Sequence, residues 1–409
     1  MPYEGDNMMG VKRNNRSAAL RILHKKGGMS RKRLSEALKL TPAAITKIVA
    51  EMMNDGLLVE GKVLPGEGAG RREILVEFDP YAGVALGVLI NLRQTIVSAV
   101  RLDGSVIFSE EIAIEPHADA DSTTAMLSTR LLELAKEHAI PNKQIVGLGI
   151  AVRGLTSADG RRVKNSFGSL RQENYPLCDR FEALTGYSCV LDNNVRALFA
   201  AQMFLSEDHE DGSQFFLRCE YGIGAALSVD DRIWHGVTEQ CAEIGHIPVI
   251  KWGGKPCSCG KSGCLETIAS PSSIREDAIS QLSEERTPVL WKLCREQGRE
   301  NITLEDVLLA AQNGDNGVAT VVDNAVSALG SALKAVIYLI DPGRIVLYGG
   351  IFENAYYLSR LLSEMREGVD SEHVTVVEKS KYNHLLENKA AGLLAVQRFF
   401  ENGGVRDER

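Results

Sequence analysis

Residues 243–266 read EIGHIPVIKWGGKPCSCGKSGCLE. Three thiols, Cys257, Cys259 and Cys264, lie in a loop rich in Gly and Pro, and His246 lies eleven residues before the first of them. One imidazole and three thiolates are ligands that suit tetrahedral Zn²⁺. Four protein ligands would leave no coordination position for a substrate, so the metal would be structural and not catalytic. We therefore predict one structural zinc ion per chain, bound by His246, Cys257, Cys259 and Cys264. The alternative is that the three thiols are ordinary buried side chains.

The same stretch closely resembles the signature of the ROK family, whose name stands for repressor, open reading frame and kinase. The signature is Glu-x-Gly-His followed by Cys-x-Cys-Gly-x-x-Gly-Cys-x-Glu, and this chain fills every position of it: Glu243, Gly245, His246, Cys257, Cys259, Gly260, Gly263, Cys264 and Glu266. In the family, the His and Cys residues bind structural zinc, and the two Glu and the His contact sugar hydroxyls. The resemblance extends more weakly over most of residues 81–400. It implies an α/β fold of the two-lobed, actin-like ATPase type, with the ligand in the cleft between the lobes.

The composition limits the cellular setting. The chain has 409 residues, 44% of them hydrophobic, which suits two or three domains with sizeable cores. We expect no membrane span, because no run of about 18 apolar residues occurs. The polar N-terminus lacks the apolar core of a signal peptide. Eight cysteines without such a signal favour a reducing cytoplasm over a disulfide framework.

The charge is unevenly distributed along the chain. Residues 11–72 carry fourteen Lys and Arg against five Asp and Glu, a net charge of +9, whereas the whole chain carries −8. A basic head on an acidic body favours a head that binds nucleic acid. The alternative is a basic surface that is merely solvated.

The basic segment has the pattern of a helix-turn-helix. Residues 14–26 predict a first helix, Ser30 caps a second, and Thr41-Pro42 starts a third with an N-cap hydroxyl followed by proline. In the third helix, Ile45, Val49 and Met52 share one face, and small polar residues occupy the other. The residues that we expect to contact DNA from these helices are Arg31, Thr41, Ala43, Thr46 and Lys47.

A wing follows the third helix. Residues 57–63 and 73–78 read as two strands, joined by a Gly-rich tip that ends in Arg71 and Arg72. Such a tip can approach the phosphate backbone or a narrow minor groove, where Arg is favoured. A generic helical bundle is the alternative. The segment resembles the winged helix-turn-helix of ROK repressors.

The predicted domains follow from this pattern and the resemblance. Residues 1–78 form the winged helix-turn-helix. Residues 79–194 form the first ROK lobe, which the C-terminal helix 388–409 completes. Residues 195–387 form the second lobe, with the zinc loop, sugar-binding residues and the dimerisation surface.

The resemblance also identifies residues that matter for kinase activity. ROK kinases have Asn-Asp after the strand that ends near residue 194, and the Asp is the general base on the sugar hydroxyl. This chain has Asn193-Asn194, and an amide cannot accept that proton at neutral pH. The family's first phosphate turn, Asp-x-Gly-x-Thr, is replaced by Leu89, Asn91 and Arg93.

The second phosphate turn is altered as well. The family pattern Gly-Thr-Gly-x-Gly is here Glu220-Tyr221-Gly222-Ile223-Gly224, and Gly349-Gly350 is kept. A carboxylate and a bulky side chain oppose the close approach of a polyanion. We therefore predict no catalytic residues. The sugar contacts implied by the resemblance are better kept, at Gly154, Asn193, Asn194, Glu243, His246 and Glu266.

The sequence favours a sugar-responsive transcription factor that represses carbohydrate-utilisation genes, similar to xylose and N-acetylglucosamine repressors. Its expected partners are operator DNA, a sugar or sugar-phosphate effector, and further copies of the chain in a dimer or tetramer. One alternative is an ATP-dependent ROK sugar kinase with an accessory DNA-binding head. Another is a DNA-binding structural protein whose sugar cleft no longer works.

Overall fold

The computed structural model describes residues 8–64, 73–92, 94–206, 212–369 and 375–407. The chain divides into two compact units. Unit 1 is Met1–His209 with Leu385–Arg409, and unit 2 is Glu210–His384. The head belongs to unit 1, so the division into three predicted domains stays a prediction.

Within its described residues, the head has three helices and a three-stranded antiparallel sheet of order β1-β3-β2. Ser30 and Thr41 cap the second and third helices through their side-chain oxygens, as predicted. Ile45, Val49 and Met52 are fully buried. The elements are α1 (Met8–Lys26), β1 (Met29–Ser30), α2 (Arg31–Leu38), α3 (Pro42–Asn54), β2 (Leu58–Leu64) and β3 (Glu73–Phe78).

The body of unit 1 is built on a mixed five-stranded sheet of order β10-β7-β4-β5-β6. β7 and β4 lie in its interior, and all of their residues are buried, as expected for strands covered on both faces. The elements are β4 (Val84–Ile90), β5 (Gln94–Arg101), β6 (Val106–Ala113), α4 (Ala120–Glu137), β7 (Ile145–Val152), β8 (Leu155–Thr156), β9 (Val163–Asn165), α5 (Leu177–Thr185), β10 (Cys189–Asn193) and α6 (Asn194–Leu205).

Unit 2 has a second five-stranded sheet, of order β13-β12-β11-β14-β15. Both sheets consist of an antiparallel meander extended on one side by two parallel strands. The elements are β11 (Gln214–Cys219), β12 (Ile223–Val229), β13 (Arg232–Ile233), α7 (Glu266–Ala269), α8 (Pro271–Ser280), α9 (Pro288–Gln297), α10 (Leu304–Gln312), α11 (Asn316–Ile340), β14 (Arg344–Tyr348), α12 (Ala355–Arg366) and β15 (Val376–Lys379).

Among the described helices, α11 alone is long and apolar enough to cross a membrane. Half of its most apolar window is buried, and Val322, Leu329 and Leu333 lie in the core of unit 2. A core helix satisfies the same criteria of length and hydropathy. We assign α11 to the core on these contacts.

The last helix, α13 (Glu387–Glu401), returns to unit 1 and packs on its sheet. The approach is close at Gly149 of β7, where an added Cβ would overlap the carbonyl oxygen of Ala391. Gln397 ties α13 to α6, because its side-chain amide donates to the carbonyl oxygen of Ala200 at 2.8 Å. The C-terminal helix thus belongs to unit 1, and its assignment to the first ROK lobe stays a prediction.

Candidate metal and sugar-binding sites

The predicted metal ligands converge in unit 2. One ligand atom from each of His246, Cys257, Cys259 and Cys264 lies within 4.8 Å of all the others. The Sγ atoms of Cys259 and Cys264 are 3.7 Å apart, and His246 Nδ1 is 3.4 Å from Cys257 Sγ. Ligands at zinc-bond lengths in a tetrahedron have edges of about 3.6–3.8 Å. The four side chains therefore fit a tetrahedral metal ion.

Backbone hydrogen bonds shape the metal loop, which we define as residues 246–264. The amide of Cys257 donates to Lys261 at 2.8 Å, and that of Gly260 donates to Cys257 at 3.0 Å, which forms a tight turn. Burial raises the pKa of the Cys264 thiol to about 12, and the neighbouring thiols add to the shift. A divalent cation favours the thiolate, so metal binding here would release protons.

Glu243 lies against the other side of the same imidazole. Its Oε2 atom is 4.0 Å from His246 Nε2, whereas Nδ1 is the ring nitrogen that faces Cys257. Metal-binding histidines commonly direct their second nitrogen to a carboxylate, which orients the ring. The imidazole of the metal loop therefore lies beside the carboxylate of Glu243. About a quarter of the Glu243 side chain is exposed.

Glu266, at the start of α7, has a structural contact that sequence reasoning missed. Its Oε2 atom accepts a hydrogen bond of 2.9 Å from the amide of Ile223, at the beginning of β12. No described residue donates to its Oε1 atom. One carboxylate oxygen therefore holds the turn before β12, and the other is available for a hydroxyl.

In unit 1, Asn193 belongs to a helix cap. The sequence predicts a strand that continues to Asn194, but β10 ends at Asn193, whose side-chain oxygen accepts from the amides of Val195 and Arg196 at 2.8 and 3.3 Å. Its amide nitrogen donates to the carbonyl oxygen of Gly154 at 2.8 Å. Gly154 has φ +129° and no room for a Cβ, so this contact requires glycine. Two of the predicted sugar residues are therefore bonded to each other.

Asn194 is the first residue of α6, and only 3% of its surface is exposed. Its side-chain nitrogen donates to Oδ1 of Asn91 at 3.0 Å. Asn91 lies in the first altered phosphate turn, so the turn and the position of the kinase base contact each other. Arg93 of the same turn lies outside the described residues.

The second altered phosphate turn is closed by its own carboxylate. Glu220 Oε1 accepts a hydrogen bond of 3.0 Å from the amide of Gly350. Tyr221 is 83% exposed, and its carbonyl oxygen accepts from Ser272 at 2.6 Å. An amide that would be available to a phosphate is thus bound by a side chain of this chain. The sequence shows that Glu220 departs from the family pattern of this turn. It does not predict the hydrogen-bond partner of Glu220, which lies 130 residues away.

The predicted DNA-binding residues of α3 face outward. Thr41, Ala43, Thr46 and Lys47 are exposed, whereas Ile45, Ile48 and Val49 are buried. Arg31 differs, because its guanidinium lies 3.3 Å from Glu60 of β2 and is two-thirds buried. Arg71 and Arg72 lie outside the described residues.

Comparisons with known proteins agree with this architecture. A sequence profile described as "ROK family" matches residues 86–395, and one described as "Winged helix-turn-helix DNA-binding" matches residues 13–59. The N-acetylglucosamine repressor of Shigella flexneri is 25% identical over 346 residues, which cover 84% of this chain and 82% of the repressor. A glucokinase of Halalkalibacterium halodurans is 27% identical over 271 residues, 66% of this chain and 80% of the kinase.

A solved structure has the same fold over nearly the whole length. It is described as a ROK family transcriptional regulator, homologue of the E. coli MLC protein, and superposes with a TM-score of 0.80 at 23% identity, covering 96% of this chain and 98% of that one. The family profile covers more than half of the chain, and the winged head precedes it. This chain therefore belongs to the ROK family.

Proposed function

We propose that this protein is a sugar-responsive, DNA-binding transcriptional regulator that represses carbohydrate-utilisation genes from the cytoplasm. One combination of features carries the proposal. A winged helix-turn-helix with an outward polar face precedes a ROK body in which an amide, Asn194, holds the place of the catalytic base and Glu220 binds the turn amide of Gly350. The residues that the resemblance links to sugar binding are kept, whereas the catalytic base and several residues of the two phosphate turns are replaced.

The sugar would be bound by carboxylates and amides, because each offers two polar atoms that match neighbouring hydroxyls. In unit 2 we assign this role to Glu243, Glu266 and His246, and in unit 1 to Asn194, with Asn193 and Gly154 shaping the backbone. Glu266 supports this role through Oε1, since Oε2 is bound to Ile223. His246 contributes mainly by placing Glu243.

The metal would be zinc, one ion per chain, because three thiolates and one imidazole in a tetrahedral arrangement suit it. It would act as a structural ion that fixes the loop between Glu243 and Glu266. No coordination position would remain for a substrate.

The head would bind a pseudo-palindromic operator as a homodimer or a tetramer, because one helix-turn-helix reads only a half-site. Thr46 and Lys47 on α3 would enter the major groove, with Thr41 and Ala43 at the start of the helix. Arg31, Arg71 and Arg72 would contact the backbone or the minor groove.

The test is operator binding with and without sugars. A duplex is selected from random DNA by the protein, and its affinity is measured by fluorescence anisotropy with N-acetylglucosamine, glucose and xylose, each free and phosphorylated. We expect one of them to change the affinity by about 5- to 150-fold. Lys47→Ala should weaken binding about tenfold or more, whereas Lys136→Ala, an exposed lysine of α4, should not. If no duplex is enriched, the proposal is wrong.

The glucokinase relative supports one alternative, an ATP-dependent sugar kinase with a DNA-binding head. Titration calorimetry with ATP separates the two. We expect no binding by the wild type, and no sugar-dependent ADP release by Asn194→Asp, because phosphoryl transfer depends mainly on holding and neutralising the phosphates. Micromolar ATP affinity, or ADP release by either protein, would favour the kinase.

A further inference from the structure

The helix α6 connects the predicted sugar site of unit 1 to the DNA-binding head. Its first residue is Asn194, and Asn193 caps it. Its last turn contains Phe204, which contacts the head. A helix of this length spans about 18 Å. We propose that α6 carries the sugar signal to the head and that the stacking of His24 on Phe204 is the joint between them. This inference rests on the proposed function.

The helix is held as a rigid body. Nearly all of its residues are buried. At its start, Arg196 donates to Asp192 at 2.6 Å and to Thr156 at 3.0 Å, and further along the helix Gln397 donates to the carbonyl oxygen of Ala200 at 2.8 Å. Packed helices shift by sliding as units rather than by deforming. A displacement at Asn194 would therefore reach Phe204.

The joint consists of a ring stack and a hydrogen bond. The rings of His24 and Phe204 have centroids 4.1 Å apart and planes 24° apart. His24 Nε2 lies 3.1 Å from the carbonyl oxygen of Phe204, which can only accept, so this nitrogen carries the hydrogen. That carbonyl is in the last turn of α6 and has no partner within the helix. The head therefore supplies a hydrogen bond to one of the end carbonyls of α6, in addition to the bond from the Ser206 amide to Gln202.

Two more rings link this joint to the wing. Phe78, the last residue of β3, and Phe400 of α13 have ring centroids 5.4 Å apart. Phe400 lies 5.7 Å from Phe204 and 5.9 Å from His24. We call His24, Phe78, Phe204 and Phe400 the aromatic cluster. The aromatic cluster joins α6 to α1 and β3 of the head. A shift of Phe204 would therefore move α1 and β3 together.

A separate contact holds the head on the body. Arg16 of α1 donates to the carbonyl oxygen of Gly403 at 2.7 Å and pairs with Asp55, the C-cap residue of α3, at 2.7 Å. This contact involves the end of α13 and no residue of α6. It would act as the pivot about which the joint moves, and it should keep the head attached when the joint is altered.

The experiment separates binding from coupling. Phe204→Leu and His24→Leu keep apolar volume but remove the stack. The matched control is Phe108→Leu, because Phe108 stacks on His138 with ring centroids 5.1 Å apart in the same unit, and among the described residues neither ring pairs with a ring of the head or of α6. For each protein, operator affinity is measured with and without the sugars named above. Sugar affinity is measured by calorimetry with and without the operator duplex.

We expect both joint variants to bind operator and sugar, each measured alone, within about threefold of the wild type, because neither residue belongs to a binding site. Their coupling factor should fall from the wild-type value to below about twofold, and equally in both directions, since linkage is reciprocal. Phe108→Leu should keep the wild-type coupling. A purely structural role would instead change the separate affinities or the stability.

The outcomes distinguish this inference from the proposed function. If the wild type couples sugar to operator and both joint variants couple equally well, α6 is not the route and the proposed function stands. If the wild type binds operator and no sugar of the panel changes its affinity, both fail. If Phe204→Leu does not fold, His24→Leu decides, because His24 is only partly buried and lies outside α6.

Discussion

The metal loop of unit 2 and the aromatic cluster of unit 1 each use four side chains to hold a functional segment in place, but the bonds differ in strength. A structural zinc site is worth about 10–16 kcal/mol in small peptides. A ring pair contributes about 0.5–1.5 kcal/mol beyond the area that it buries. Metal–ligand bonds suit a segment that stays fixed. Ring contacts are weak enough to break and re-form within the binding free energy of a sugar. We therefore interpret the metal loop as the fixed part and the aromatic cluster as the moving part.

Removing the metal should produce the largest effect. Cys257→Ser should abolish stoichiometric zinc and lower the thermal midpoint of unfolding, because the metal loses one of its four ligands. Metal analysis and calorimetry measure both. Cys294→Ser, which changes a buried thiol of the same unit outside the cluster, should retain the metal. In the control for the wild type, the protein is stripped of metal, incubated with zinc and separated from unbound ions. If it then carries no zinc, the assignment is wrong.

Truncating the aromatic cluster should have the next largest effect. Phe400→Ala should destabilise unit 1 by about 3–5 kcal/mol, as expected for a buried ring. Hydrogen exchange should then rise most in α1, because that helix loses its contact with the body. Phe399→Ala is the control, since Phe399 is the buried neighbour on α13 and has no ring contact with the head among the described residues. Equal exchange in α1 for the two variants would show that the cluster does not dock the head.

Glu243→Gln tests whether holding the loop and binding the sugar are separate tasks. The substitution is nearly isosteric, so zinc content and operator affinity should be unchanged, whereas sugar affinity should fall about tenfold because a charged hydrogen bond is lost. Calorimetry with the sugar that acts on the wild type provides the measurement. Glu284→Gln, an exposed site of unit 2, should bind the sugar normally. Loss of zinc in Glu243→Gln would mean that this carboxylate serves the metal.

Acid should weaken the aromatic cluster slightly. Burial lowers the pKa of His24, the nearby charge of Lys25 lowers it further, and the Phe204 carbonyl and Asp103 oppose the shift. Above about pH 6.5, the ordinary pKa of histidine, His24 is neutral both when the head is docked on the body and when it is released, so docking does not depend on pH. Below that pH, His24 binds a proton more readily in the released head than in the docked head, so docking weakens. Exchange in α1, after correction for its slower intrinsic rate in acid, should show a rise in opening from pH 7.5 to pH 5.5 in the wild type but not in His24→Phe. The same rise in that variant would exclude His24 as its cause.

The sequence analysis predicted neither the helix cap at Asn193 nor two of the helices. Asn193 looks like the end of a strand, and only its bonds to Gly154, Val195 and Arg196 identify it as a helix cap. The helix α5 was missed, although its glycine C-cap, Gly186, was visible in the sequence. The helix α12 was missed as well, although its N-cap, Asn354, is a residue type that favours this position.

What the sequence by itself determined was local. The predicted metal ligands lie within 19 consecutive residues, the caps at Ser30 and Thr41 bond amides three residues ahead, and the two central strands β4 and β7 are continuous buried runs. Each depends on neighbours along the chain, so a pattern of residue types suffices to find it.

Only the tertiary structure decided which distant groups meet. Glu220 reaches Gly350 across 130 positions, Asn91 reaches Asn194 across 103, and His24 reaches Phe204 across 180. None of these pairs has a spacing or a residue type that predicts its partner, because the contact follows from how sheets and helices pack. The closed phosphate turn and the joint beneath the head are therefore properties of the folded chain.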